Sequence, residues 1–300
     1  MEFSPAEELL SYEEITRLVK IFLGYGVSIL RLTGGEPLVR PDLPLLISEI
    51  KGIGGSTKPL RVNITTNGSL LGRYLEDLEM AGLDSMNISL DTLKAEKFRL
   101  ITKRDQFQTV LSNIHKARAS KIKTKVNCVV LRGFNDKELV DFVEFATQHE
   151  VTVRFIEFMP FNGNKWLSSS FMSSEEMRQI IGREYKLFPL PVNNRSQTSR
   201  LYGIEGQKGK IGFISSVSQT FCQWCDRVRL TAEGSLRTCL HGTDETDLKV
   251  LMRSGASDRE IDSIIRAAVF AKQKGHIDWI DPGILWSIPL EDREMIRIGG

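Results

Sequence analysis

The sequence predicts an α/β protein: a parallel sheet, open or closed as a barrel, followed by a smaller second region. Three observations carry this. Five short apolar runs, near residues 28–33, 61–66, 84–90, 123–131 and 151–158, alternate with helical patterns, as a parallel sheet with crossover helices requires. The alternation breaks near residue 160, where Asn, Gly, Pro and Ser take over. At 300 residues the chain buries a large core and fits one big α/β domain, or one with an appendage.

Each element has a local reason. Residues 11–25 form an amphipathic helix that Ser11 caps, with Glu14 three positions on and Gly24 and Gly26 at its end. SILRLTGGEP is an apolar strand entering a glycine turn, and PDLPLLISEIKGIGG is the next helix and stop. RVNITTNGS is a strand and turn, LGRYLEDLEMAGL a helix, and DSMNISLDT a strand. FQTVLSNIHKARASK is a helix ahead of the strand in KTKVNCVVLRGFN; KELVDFVEFATQHE is a helix ahead of the strand in VTVRFIEFMPFN. Polar residues lie along these strands or at their C-terminal ends, which face the ligand in parallel α/β folds. From 160 onward FNGNKWLSSSFMSSEEM reads as loop and residues 190–218 as turns with short β runs, before a helix over 256–274. The expected division is 1–165 and 166–300.

Composition excludes several classes. Charged residues make up 26% and the formal net charge is +2, too balanced for a general nucleic-acid binder or membrane-surface protein. No apolar run reaches the ~18 residues of a membrane span, and the opening MEFSPAEELL resembles neither a signal nor a transit peptide. Four cysteines do not make a secreted disulfide scaffold and suit a reducing interior.

Three of those cysteines fall in FCQWCDRVRLTAEGSLRTC: Cys222 and Cys225 two residues apart, then Cys239. Spacing alone leaves two readings level. One is a zinc site completed by His241; the other is a [4Fe–4S] cluster with one iron lacking a protein ligand, open to substrate. Arg227 and Arg229 follow the CxxC closely, and two guanidiniums beside such a site suit a polyphosphate. Cys128, mid-strand in VNCVV, reads as a packed core residue.

Taken together, RLTGGEPLVRPDL, TTNG, NISLDTL, KVNCVVLRGFND, RFIEFMPFNGNKW, FCQWCDRVRLTAEGSLRTCL and the terminal Gly-Gly resemble the GTP 3′,8-cyclases, the molybdenum cofactor biosynthesis protein A family of the radical S-adenosylmethionine (SAM) superfamily. The resemblance runs over nearly the whole chain, in order. It implies a partial TIM barrel, an incomplete (β/α) barrel of parallel strands with a C-terminal iron–sulfur region. It implies that Gly34, Gly35, Glu36, Ser89 and Met159 meet SAM, with Arg154 near the shared pocket. Arg31, Thr65, Lys125, Arg227 and Arg229 would hold GTP. Cys222, Cys225 and Cys239 would bind a second [4Fe–4S] cluster whose open iron contacts guanine. Gly299 and Gly300 would enter the active site as a thin tail. The implied reaction is radical cyclisation of GTP in molybdenum cofactor synthesis. It implies a homodimer, an external reductant and a downstream cyclic pyranopterin-forming enzyme, in cytoplasm or mitochondrial matrix.

One departure matters. The family carries a CxxxCxxC loop after the first barrel strand, whose [4Fe–4S] cluster cleaves SAM; here no cysteine precedes Cys128. The expectation is a sequence incomplete at its N-terminus, without the first strand, leaving the strand at 28–33 on an exposed sheet edge. Two rivals remain: a catalytically inactive GTP- or SAM-binding module of the same fold, and a zinc-stabilised structural protein.

Overall fold

A computed structural model of the chain describes residues 5–53, 59–161, 164, 166–192, 194–219, 221–242 and 244–272. Gly299 and Gly300 lie outside them. Five parallel strands follow in order, β1 (Ile29–Leu32), β2 (Arg61–Thr66), β3 (Ser85–Ser89), β4 (Lys123–Val130) and β5 (Thr152–Glu157). The strands β6 (Leu187–Pro189), β7 (Ser199–Ile204) and β8 (Lys210–Ile214) extend the same sheet, in the order β1-β2-β3-β4-β5-β8-β7-β6. β8 runs parallel to β5, and β7 and β6 follow antiparallel. The sheet is open, and among the described residues β1 pairs on one side only, with β2.

The helices before and between the strands are α1 (Tyr12–Gly24), α2 (Leu43–Ile53), α3 (Leu71–Met80), α4 (Ala95–Thr102), α5 (Phe107–Ala119), α6 (Leu139–Gln148) and α7 (Ser174–Ile181). They cover one face of the sheet because that face is apolar: Val62, Ile64, Met86, Ile88, Val126, Val153, Phe155 and Ile211 are all fully buried there. Burying one such side chain contributes about 1.5–3 kcal/mol. α1 begins at Ser11, whose hydroxyl accepts from Glu14 N while Ser11 N donates to the Glu14 carboxylate, the capping box the sequence predicts. The sequence pattern over 161–177 predicts loop. The structure instead starts α7 there on a second capping box, Ser173 with Glu176. No helix among the described residues is long and apolar enough to cross a membrane.

The cysteine-bearing region is a three-stranded antiparallel sheet, β9 (Arg229–Leu230), β10 (Ser235–Arg237) and β11 (Thr246–Asp247), with α8 (Leu248–Arg253) and α9 (Asp258–Phe270). It has its own core, in which Leu236, Leu248, Met252, Ile261 and Ile265 pack with Leu10 and Leu18 from the N-terminal side. That contact is reinforced by Arg17, whose Nε donates to Asp258 Oδ1 at 2.7 Å. α1 therefore fixes the cysteine region against the large sheet.

Candidate functional site

The polar face of the sheet, opposite the helices, is where the chemistry collects. The pairing register sets Arg31 beside Asn63, Thr65 beside Asn87 and Lys125, and Ser89 beside Asn127 and Arg154. In a strand alternate side chains share a face, so these residues form one polar surface opposite the apolar core. Hydrogen bonds brace it: Ser85 Oγ donates to Asn63 Oδ1 at 2.7 Å, and Asn87 Nδ2 to Thr65 Oγ1 at 3.2 Å. Arg154 is 7% exposed. Its guanidinium donates to Asn127 Oδ1, from Nε at 2.9 Å. The neighbour Gly212 leaves room for this arginine, since a Cβ there would stand 3.0 Å from Arg154 Cγ and 2.4 Å from Ser199 Oγ.

The electrostatics of this surface are one-sided. The strand positions that share it carry Arg31, Lys125 and Arg154 and no Asp or Glu. Burial, then repulsion from Arg154, Arg31, Lys123 and Arg61, lowers the Lys125 pKa to about 8. Burial and Arg31 lower Arg154 to about 10. Arg31 is lowered by desolvation and then by Arg227, so the cysteine region reaches the open edge of the sheet. Arg229 is lowered by desolvation and by Arg227, while Cys225 and Cys239 oppose the shift. Cations crowded without counter-charge are costly unless an anion arrives. Arg227 shows this most directly. Its guanidinium lies 4.9 Å over the Phe221 ring, yet its buried Nε and Nη2 have no hydrogen-bond partner among the described residues.

Cys222 and Cys225 bracket a 3₁₀ turn in which Cys225 N donates to Cys222 O at 3.0 Å. Cys239 follows β10 in a loop that Arg237 closes, its Nη1 donating to Glu245 Oε1 at 2.8 Å and its Nη2 to Gly242 O. All three thiols are half-buried. Among the described residues, no three His, Cys, Asp or Glu side chains converge as they would around a single metal ion. His241, the alternative fourth ligand, stacks on Phe161 with ring centroids 5.0 Å apart. Cys128 is buried, its Sγ directed to Asp91 O at 3.6 Å, and burial raises its pKa well above the usual thiol value.

The residues that resemblance assigns to SAM lie at the C-terminal ends of parallel strands, along one edge. Gly34 has φ +83°, and nothing stands within 4 Å of where a Cβ would be. Glu36 proves more engaged than the sequence suggests. Its carboxylate accepts from Leu38 N at 3.1 Å, Thr66 Oγ1 at 2.7 Å and Asn67 N at 2.7 Å, and desolvation raises its pKa despite these bonds. It clasps the end of β1 to the end of β2. Ser89 closes β3, and Met159 lies just past β5, its carbonyl accepting from Asn164 Nδ2 at 2.8 Å.

Two positioning residues escaped the sequence reading. Asn127 aims Arg154, as described. Glu157, fully buried at the end of β5, accepts from Ser174 N at 2.7 Å, Val217 N and Ser218 N at 2.8 Å each, and Ser218 Oγ. It ties β5 to α7 and to the segment after β8. A buried acid at a strand end, in RFIEF, was the available signal.

Known proteins resemble this chain. A family profile described as Radical SAM superfamily matches residues 2–146, and one described as Molybdenum Cofactor Synthesis C matches 151–277. Molybdenum cofactor biosynthesis protein 1 of Dictyostelium discoideum is 44% identical over 300 residues, 99% of this chain and 46% of the relative. The mitochondrial GTP 3′,8-cyclase of Arabidopsis thaliana is 39% identical over 304 residues, covering 100% of this chain and 75% of the relative. GTP 3′,8-cyclase of Syntrophomonas wolfei is 43% identical over 270 residues, 89% of this chain and 82% of the relative. The chain thus spans about half the length of the molybdenum cofactor biosynthesis protein 1 relatives. Crystal structures of Streptococcus suis SuiB share the fold. One aligns with TM-score 0.54 at 15% identity over 84% of this chain and 58% of SuiB. The SAM-bound one aligns with TM-score 0.56 at 12% identity over 96% and 70%. The chain belongs to the GTP 3′,8-cyclase family of the radical SAM superfamily.

Proposed function

We propose that this member of the GTP 3′,8-cyclase family binds GTP between the polar face of its sheet and its cysteine region, for cyclisation to (8S)-3′,8-cyclo-7,8-dihydroguanosine 5′-triphosphate in molybdenum cofactor synthesis. The observation that carries the reading is Arg227: a half-buried arginine whose buried Nε and Nη2 have no hydrogen-bond partner among the described residues, close enough to Arg31 to lower its pKa. A triphosphate supplies the missing negative charge to Arg31, Lys125, Arg227 and Arg229 at once. Arg154, held by Asn127, faces the junction of the GTP and SAM sites, and Thr65 offers a hydroxyl beside Asn87.

The residues present fit the second [4Fe–4S] cluster. Cys222, Cys225 and Cys239 provide three thiolates in one small region, and Arg229 feels two of them. A cubane spaces its thiolates more widely than one zinc ion does. When bound, such a cluster offers an open iron to the guanine. SAM fits the edge formed by Gly34, Gly35, Glu36, Ser89 and Met159, where Gly34 leaves its backbone open to a ligand. The SAM-cleaving cluster does not fit these 300 residues. Apart from Cys222, Cys225 and Cys239 there is only Cys128, buried in β4 and turned to Asp91 O.

In this reading residues 1–165 hold the SAM-facing part of the barrel and 166–300 the cluster region with the Gly299–Gly300 tail. A homodimer, an external reductant and a downstream cyclic pyranopterin-forming enzyme complete the proposal, in cytoplasm or mitochondrial matrix.

Calorimetric titration of the anaerobically prepared chain with GTP tests it. Arg31→Met and Arg227→Met should each weaken binding. Together they should cost less than the product of their separate effects, since one triphosphate meets both. Fully additive losses, or GTP binding untouched by either change, overturn it.

A further inference from the structure

Lys272 stands just past α9, distant in sequence from every motif above. Its Nζ donates to Cys225 O at 3.0 Å and to Arg227 O at 2.9 Å, and lies 3.5 Å from Cys225 Sγ. An ammonium has three protons, and here three acceptors meet them, all in the segment that carries the second cysteine and the first arginine.

The anchor for this contact is firm. α9 starts on a capping box between Ser257 and Glu260. Its Ile261 and Ile265 are fully buried in the smaller core, Arg17 holds Asp258, and Tyr25 Oη donates to Asp262 O at 2.9 Å. The cysteine turn has little of its own. Its described backbone bonds are Trp224 N to Phe221 O and Cys225 N to Cys222 O, both 3.0 Å, and no residue of the 3₁₀ turn is buried. Neither bond restrains residues 226 and 227.

We propose that Lys272 is a positioning residue that latches the Cys225–Arg227 backbone to α9, and thereby aims both the Cys225 thiolate and the Arg227 guanidinium into the pocket. The carbonyl of Cys225 and that of Arg227 converge on one cation, which fixes the rotation of the two peptide units flanking Asp226. The direction of Arg227, and with it the contact to Arg31, follows from that fixed backbone. The latch deepens the proposed function and rests on it for the role of Cys225 as a ligand; the tether itself does not.

Hydrogen–deuterium exchange on the metal-free full chain tests the tether directly. In Lys272→Met, amides of the peptide spanning 221–228 should exchange about tenfold faster, with β3 and α9 unchanged; Lys272→Arg, which still donates to two carbonyls, should restore most of the protection. Unchanged exchange over 221–228 in a folded Lys272→Met protein overturns the proposal. In the anaerobic, iron-loaded chain, Lys272→Met should lose iron to a chelator several-fold faster and bind GTP several-fold more weakly, with no change in melting temperature. Loss at the wild-type rate also overturns it. If the wild type holds no iron while exchange still rises in Lys272→Met, the cluster reading fails and the latch stands.

Discussion

Raising the pH should weaken GTP binding through a single residue, Lys125. Burial and four neighbouring cations bring its pKa from 10.5 to about 8 in the free protein. The charged ammonium is the form that meets a phosphate, and a bound triphosphate pulls the pKa back up. Affinity is therefore near its full value at pH 7 and below and falls as pH rises through about 8. Between about pH 7 and about pH 9 the charged fraction of a group with this pKa drops from roughly nine-tenths to roughly one-tenth, so affinity should fall about tenfold, ~1.4 kcal/mol. The assay is calorimetry at fixed ionic strength on the wild type and on Lys125→Met. Ionisation of the guanine ring affects both proteins alike, so the difference between the two slopes isolates Lys125. A wild type with the same slope as Lys125→Met would refute the placement of Lys125 against the phosphates.

Other consequences are equally open to measurement. Glu157→Ala leaves three backbone N–H groups, of Ser174, Val217 and Ser218, without their acceptor; it should cost about 3–5 kcal/mol in urea denaturation, and an unshifted midpoint contradicts the strut. Asn127→Leu removes the acceptor of the buried Arg154 guanidinium, and should cost about 2–4 kcal/mol by the same assay, with a wild-type midpoint as the contrary result. Arg227→Ala should weaken GTP binding more at low salt than at high salt, because exposed phosphate charge is screened within a Debye length of about 10 Å at 0.1 M; equal affinity to wild type at both would remove Arg227 from the pocket.

Much of the sheet was legible because its strands are short apolar runs between helical patterns: β2 spans Arg61–Thr66 and β4 Lys123–Val130, as the alternation predicts. β8 escaped notice as a parallel partner of β5. Its neighbour in sequence is the antiparallel β7, and only tertiary packing decides that Lys210–Ile214 lies beside Thr152–Ile156. α7 was hidden for a different reason: eight residues in a serine-rich stretch give too little periodicity to outweigh the turn signals around them. At the site, residue types were legible and partnerships were not. Arg31 and Arg227 each looked like a phosphate ligand, but their proximity depends on α1 carrying the small core. The bonds of Glu36 to Thr66 and Asn67 left no local mark because they span about thirty residues. The grip of Lys272 on Cys225 spans 47.

The decisive measurement is metal analysis of the anaerobically purified chain joined to electron paramagnetic resonance with and without GTP. About four iron and four sulfide per chain, with a reduced-cluster spectrum that changes when GTP is added, is the predicted result. Colourless protein carrying zinc at Cys222, Cys225 and Cys239, or a cluster spectrum indifferent to GTP, would contradict a nucleotide pocket shared by the sheet and the three thiolates.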